Sequence, residues 1–215
     1  VKSGRTHLMD AVPVSLGPNI LRADTNLAKL ASLKPAFDKR SGKGTLTAGN
    51  STNLSDGASV ALLSSEQWAQ DNNKEIQAYL VDAQVAAVDF VAGEGLLMAP
   101  AWAVAQLLKR NNLKLQDFDF YEIHEAFAAQ VLCTLKAWES EEFCKTKLGM
   151  DGALGSIDRS KLNVVGSSLA LGHPFAATGA RIIATAAKLL KEKGQGRVLI
   201  SICTAGGMGV AAIVE

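Results

Sequence analysis

Ser167-Ser168-Leu169-Ala170-Leu171-Gly172-His173-Pro174-Phe175-Ala176-Ala177-Thr178-Gly179 sets a histidine between a glycine and a proline, just ahead of a run of small residues. Gly172 accepts backbone angles closed to other residues and Pro174 fixes its own φ, so the pair is expected to hold His173 in one orientation at a loop apex. A helix from about residue 176 to 193, ending in basic residues and Gly194, would aim its free N–H groups and positive dipole end at that loop. Such a place suits a thiolate, an acyl oxyanion or a phosphate. A lone histidine there is more simply a tight turn capped by a half-buried ring. Two further constellations shift the reading toward chemistry.

The first is Tyr121-Glu122-Ile123-His124-Glu125-Ala126-Phe127, and the second is Ser201-Ile202-Cys203-Thr204-Ala205-Gly206-Gly207-Met208-Gly209. Each follows a short apolar run that reads as a buried strand, at residues 118–123 and 198–203. In α/β folds, chemistry gathers where strands end and loops begin. Two histidines and a cysteine at such ends suit acyl-transfer or carbanion chemistry. Each has a plainer alternative: a capping pair for His124 and Glu125, a small buried hydrophobe for Cys203, a hairpin turn for the glycines. So many glycines after Cys203 argue for close backbone approach to a ligand. A zinc site from two histidines and a cysteine would need a short ligand spacing that is absent.

Outward from these motifs, 215 residues are enough for one or two domains, and 48% hydrophobic residues can fill a sizeable core. A net charge of +1 argues against a strongly basic nucleic-acid surface. The three cysteines form no CxxC pair or disulfide framework, as expected in a reducing compartment. No apolar run reaches membrane-spanning length and no signal peptide is recognisable. Residues 1–54 are rich in Pro, Gly, Asn, Lys and Arg. Residues 12–18 should be extended or turning, Asp24 or Thr25 should cap a short helix through Leu33, and residues 39–44 form a cationic loop. Residues 53–58 should open a small-residue helix, followed by a buried apolar run at 60–63 and a polar helix and linker at 65–74. From about residue 75 strands alternate with helices: a strand in 76–88, helices at 100–110 and 126–138, a charged connector at 139–160, and strands at 197–203 and 210–214. Cys133 should face the core, and Cys144 has no evident role. This alternation argues for a layered α/β architecture.

His124-Glu125-Ala126-Phe127, Gly172-His173-Pro174 and Cys203 before its glycines, in this order, resemble the C-terminal half of a thiolase. Residues 33–37 and 47–52 are similar to thiolase segments as well, so the resemblance covers nearly the whole chain. Histidine in the Glu-Ala-Phe motif, where many degradative thiolases carry asparagine, is similar to the thiolase subunits of fatty-acid β-oxidation complexes, and residues 97–102 fit that branch. The resemblance implies a thiolase-like layered fold holding the C-terminal domain and part of the loop domain. Residues 1–54 would belong to the loop domain, 55–74 would return to the N-terminal domain, and 75–215 would form the C-terminal domain.

It also implies an acyl-CoA:acetyl-CoA acyltransferase that thiolyses 3-ketoacyl-CoA. His173 would be the base for the nucleophile, Cys203 the second acid/base, and His124 a partner in stabilising the enolate oxygen. Ala205 would offer an oxyanion-hole N–H, although the family commonly has glycine there. Phe37, Ala48, Thr52 and Phe127 would line the acyl and pantetheine channel, and Glu125 would orient the loop. CoA and acyl-CoA would be substrates, with no cofactor or metal. A homo-oligomer and a hydratase/dehydrogenase partner subunit are implied, in a bacterial cytoplasm or alternatively a mitochondrion. The family's nucleophilic cysteine sits on a helix N-terminus of the N-terminal domain, and none of Cys133, Cys144 and Cys203 has that context. The chain alone is therefore expected to lack the nucleophile, and its opening at Val1 reads as that of a fragment or one half of a two-chain protein. The alternatives are a non-catalytic CoA-binding or assembly module and a biosynthetic acetyl-CoA acetyltransferase.

Overall fold

The computed structural model describes residue 22 and residues 24–215. The expectation for residues 12–18 lies outside them. In chain order come helices α1 (Leu27–Ala31) and α2 (Glu66–Asp71), strand β1 (Leu80–Ala87), helix α3 (Ala99–Asn111), strand β2 (Phe120–Ile123), helices α4 (Ala128–Glu139), α5 (Glu141–Thr146), α6 (Ser168–Leu171) and α7 (Ala177–Lys193), and strands β3 (Val198–Thr204) and β4 (Met208–Val214). The connector expected at 139–160 contains α5, capped by Ser140 accepting from the Phe143 N–H, and runs into a 3-10 turn at Arg159–Lys161. Short acidic first turns such as Glu141-Glu142 favour a helix start but look like plain charge in a sequence.

The four strands form one mixed sheet in the order β1-β4-β3-β2. β2 and β3 run parallel, with Ile123 opposite Ser201, while β4 is antiparallel to both β1 and β3. One face packs on α3 and α4 through Leu107, Leu135, Trp138, Leu199 and Ile213. The other packs on α7 through Ile182, Ala186, Leu190, Val198 and Ile200. β3 is covered on both sides, which explains its nearly unbroken apolar sequence. Each fully buried leucine or isoleucine contributes roughly 1.5–3 kcal/mol. The architecture is therefore the layered α/β fold that strand–helix alternation predicts.

Four local expectations are overturned. Asn26, not Asp24 or Thr25, caps α1, its side chain accepting from the Lys29 N–H, while the Asp24 carboxylate pairs with the Lys29 ammonium. Residues 53–58 form no helix. The carbonyl of Asn53 accepts from the His173 N–H at 3.1 Å and Leu54 forms a parallel bridge to His173, so this backbone bonds a neighbouring loop instead of itself. The apolar run that follows is not buried: Val60, Leu62 and Leu63 are exposed. Cys133 is exposed on α4, whereas Cys144 is buried with its thiol against the carbonyls of Ala137 and Trp138.

The glycines after Cys203 also have an explanation within the chain. Gly206 and Gly207, at φ +83° and +73°, turn β3 into β4, a conformation that L side chains resist. A Cβ on Gly207 would lie 2.5 Å from the Val88 carbonyl oxygen, and one on Gly209 would lie 2.5 Å from the Pro100 nitrogen. Close approach is real, but at these two positions the approaching group is the protein itself.

Candidate active site

β2 and β3 end side by side, so the residues that follow them are brought together. The His124 N–H donates to the Ser201 carbonyl at 2.9 Å, extending the parallel ladder by one bond and fixing where the ring leaves the sheet. Asn163 completes this end of β2. Its backbone is left-handed at φ +47°, which asparagine tolerates. Its side chain accepts from the Ile123 N–H at 2.9 Å and donates to the Ile123 carbonyl at 2.9 Å and to Glu125 Oε1 at 2.7 Å. Glu125 accepts in addition from the Leu169 N–H at 3.1 Å. Its carboxylate thus joins the two histidine loops, the orienting use expected of it.

Segment 50–54 crosses both loops. The Thr52 N–H donates to the Ala126 carbonyl at 2.9 Å, and the Ala128 N–H donates to the Asn50 carbonyl at 2.9 Å. Thr52 Oγ1 donates to the Ser168 carbonyl at 2.8 Å, and Asn53 then meets His173 as described above. Gly57 passes close to Pro174, where a Cβ would come within 2.9 Å.

The result is a pair of imidazoles. The rings of His124 and His173 lie with centroids 4.3 Å apart, inclined by 46°, and Phe175 lies 5.2 Å from His173 on centroids. Gly172, at φ +91°, ends α6 and delivers His173 to this position. His173 Nδ1 is 2.7 Å from Thr178 Oγ1 in the first turn of α7. His124 is buried, with Nδ1 2.9 Å from Ser168 Oγ and Nε2 without a partner among the described residues. Burial first, then the neighbouring His173 and the Arg181 guanidinium, push the His124 imidazole down to about 3. Burial and Arg181 also lower His173. Both rings are therefore neutral at physiological pH.

Cys203 is buried near the end of β3, and burial raises its thiol to about 11, against the opposing backbone N–H groups of Cys203 and Ala126. It is a thiol at neutral pH, a proton donor rather than a standing thiolate. Ala205 is exposed at the start of the hairpin turn. Phe37 and Phe127 meet edge to face with centroids 5.6 Å apart, Phe37 half-exposed. Ala48 is exposed on the adjoining turn. The structure thus brings His124 and His173 together, sets Cys203 on the strand beside His124, and pairs Phe37 with Phe127. Among the described residues no cluster of His, Cys, Asp and Glu is arranged to hold a metal ion.

Five residues to which the sequence reading gave no role join the site: Ser168, Thr178, Asn163, Arg181 and Glu122. Arg181 and Glu122 are almost wholly buried. Burial raises the Glu122 carboxyl to about 8, although the Arg181 charge opposes it. The signal that could have found them is position. Glu122 is a charge inside a buried strand, and Arg181 is a charge on the sheet-facing side of α7, where an unpaired charge would be costly.

The model of the thiolase C-terminal domain matches residues 74–215, and that of the thiolase N-terminal domain matches residues 15–67. The chain belongs to the thiolase family. It is 44% identical to a 3-ketoacyl-CoA thiolase of Shewanella loihica, over 97% of this chain and 49% of that protein. Among solved structures it resembles human mitochondrial 3-ketoacyl-CoA thiolase, with a TM-score of 0.75 and 33% identity over 91% of this chain and 44% of that one. It is likewise similar to the dimeric peroxisomal thiolase of Saccharomyces cerevisiae, with a TM-score of 0.74 and 37% identity over 93% of this chain and 44% of that one. The chain spans about half the length of the curated relatives it matches.

Proposed function

We propose that this chain carries the acid/base part of a thiolase active site, for cleavage of 3-ketoacyl-CoA by CoA in fatty-acid β-oxidation. The observation that carries the reading is the pair of imidazoles, His124 and His173, with ring centroids 4.3 Å apart beside the end of the Cys203 strand.

In this reading His173, neutral and braced by Thr178, accepts the proton of a nucleophilic cysteine thiol. That thiol belongs to the part of the family fold outside the matched segments of this chain. Its sulfur adds to the β-ketone, and the bond between the α and β carbons then breaks. The electron pair leaves on the α carbon as the acetyl-CoA enolate. Cys203, held as a thiol, gives its proton to that carbon. The resulting thiolate takes the proton of the incoming CoA thiol, the CoA sulfur displaces the nucleophile from the acyl group as a thiolate, and that thiolate takes back the proton held by His173. His124, with His173, stabilises the enolate oxygen, directly or through a water. The Ala205 N–H serves the tetrahedral oxyanion, a contact whose loss in comparable chemistry lowers the rate roughly 100- to 1000-fold. Phe37, Ala48, Thr52 and Phe127 line the acyl and pantetheine channel.

CoA and acyl-CoA are the substrates, and no further cofactor takes part. Residues 1–54 lie in the loop domain, 55–74 return to the N-terminal domain, and 75–215 form the C-terminal domain. The active form is a homo-oligomer in the bacterial cytoplasm, working with a hydratase/dehydrogenase subunit. The test is kinetic: in the chain assembled with a thiolase N-terminal half, His173→Ala and Cys203→Ser should each lower kcat for thiolysis roughly 100- to 10,000-fold. Unchanged turnover in either variant would overturn the roles assigned.

A further inference from the structure

Behind the two imidazoles runs a file of buried polar groups that the reaction above leaves unused. Arg181 lies on α7 and Ser168 opens α6, and both are buried. Arg181 donates through one terminal nitrogen to Ser168 Oγ at 3.2 Å and to Ser167 Oγ at 3.4 Å. Ser168 Oγ is in turn 2.9 Å from His124 Nδ1. A guanidinium has only hydrogens to offer. Ser168 Oγ must therefore accept from Arg181, which leaves the serine's own hydrogen to be placed. Among the described residues the one other polar side chain bonded to that oxygen is His124. The hydroxyl then donates to Nδ1. A neutral imidazole whose Nδ1 accepts carries its proton on Nε2.

The opposite arrangement would put the proton on Nδ1 and donate it to Ser168. The hydroxyl hydrogen would then be buried without an acceptor, which folded proteins avoid. Among the described residues His124 Nε2 is buried without a partner, as are Arg181 Nε and its other terminal nitrogen, and it is the His124 ring that adjoins His173.

We infer that Arg181 and Ser168 are positioning residues that lock His124 in the Nε2–H tautomer, so that it meets the substrate as a hydrogen-bond donor. The inference rests on the enolate-stabilising role proposed for His124. An acceptor nitrogen there would repel an enolate oxygen, whereas a fixed N–H is pre-aligned to it. Burial first, and then the same guanidinium, disfavour a positive charge on either ring at rest. Glu125 supplies opposite charge that eases the burial of Arg181, and Glu122 adds to it only once it ionises, above about pH 8.

The tautomer is read directly by long-range 1H–15N correlation spectra of the 15N-histidine-labelled chain near pH 7. The chain has three histidines, and His7→Gln and His173→Gln variants assign the signals. The expected pattern for His124 is a protonated Nε2 and a bare Nδ1. A protonated Nδ1, or signals averaged between the two forms, would overturn the proposal. Ser168→Ala should turn the single tautomer into a mixture and Ser168→Thr should restore it. A single tautomer unchanged in Ser168→Ala would show that the relay does not set it. In the assembled enzyme Ser168→Ala should lower kcat about tenfold with KM unchanged, as expected for an interaction made in the transition state, and equal loss through KM would contradict the role. Because the spectra need no turnover, an inactive assembly with the expected tautomer would count against the proposed reaction and leave the relay standing.

Discussion

Asn163 shows how much of the site depends on a residue outside every motif. It closes the edge of β2 with three side-chain hydrogen bonds, two to Ile123 and one to Glu125, from a left-handed backbone. Asn163→Ala would leave the Ile123 N–H without its partner and free Glu125 from one of its two. We expect a loss of about 2–3 kcal/mol in urea unfolding, the range for stranding buried polar groups. At the same scale, Glu122 makes stability depend on pH. Its folded pKa of about 8 lies above the ordinary value of 4.5, so the folded chain holds a proton that the unfolded chain releases, and stability falls as pH rises through that window. His124 works in the opposite sense: held near 3 against 6.5, its contribution is lost as pH falls from 6.5 toward 3. Between about pH 6.5 and 8 the Glu122 effect stands alone of the two, with a slope of at most about 1.4 kcal/mol per pH unit. Glu122→Gln should flatten the decline of denaturation midpoints across that interval, and a wild-type profile that is already flat there would contradict the assignment.

Among elements, the hairpin of β3 and β4 and the crossing segment 50–54 hold the site in opposite ways. The hairpin does so by sterics. With Gly209 against Pro100, Gly209→Ala should cost about 1–3 kcal/mol through overpacking, while Gly152→Ala, where a Cβ meets nothing within 4 Å and φ is not positive, should change stability by less than about 0.5 kcal/mol. Paired unfolding curves would check this, and equal effects would refute it. Segment 50–54 works through backbone hydrogen bonds to two loops that are distant in sequence. The extended course of residues 53–58 was not legible for this reason: small residues such as Ser55, Gly57 and Ala58 permit a helix start locally, and only the partner at residue 173 decides otherwise. The strands β2 and β3 and the helices α3, α4 and α7 were legible because their apolar spacing is carried by their own residues. His124, His173 and Cys203 were legible as motifs. Ser168 and Arg181 were not, because hydroxyls and cations at helix positions look like ordinary surface until the packing of α6 and α7 is known.

For the molecule as a whole, two surfaces contrast. The three-layer core is closed, with Trp138, Leu107 and Ile213 fully buried. Beside it, Leu62, Leu63, Ile76, Tyr79 and Leu80 line an open groove of about 390 Å³ between α2 and the edge strand β1, and Val60 and Val85 are exposed as well. So much exposed apolar surface predicts that the isolated chain associates. Sedimentation velocity should show a weight-average mass rising with concentration, and a strict monomer across that range would count against it.

The most direct measurement of the central claim is thiolysis of acetoacetyl-CoA and of a longer 3-ketoacyl-CoA with free CoA, followed as loss of the ketoacyl-CoA absorbance, with this chain alone and with the N-terminal half of a full-length thiolase relative added. The account predicts no turnover by the chain alone and turnover in the mixture that disappears in His173→Ala. Robust turnover by the chain alone would contradict it and would require Cys133, Cys144 or Cys203 to be the attacking thiol.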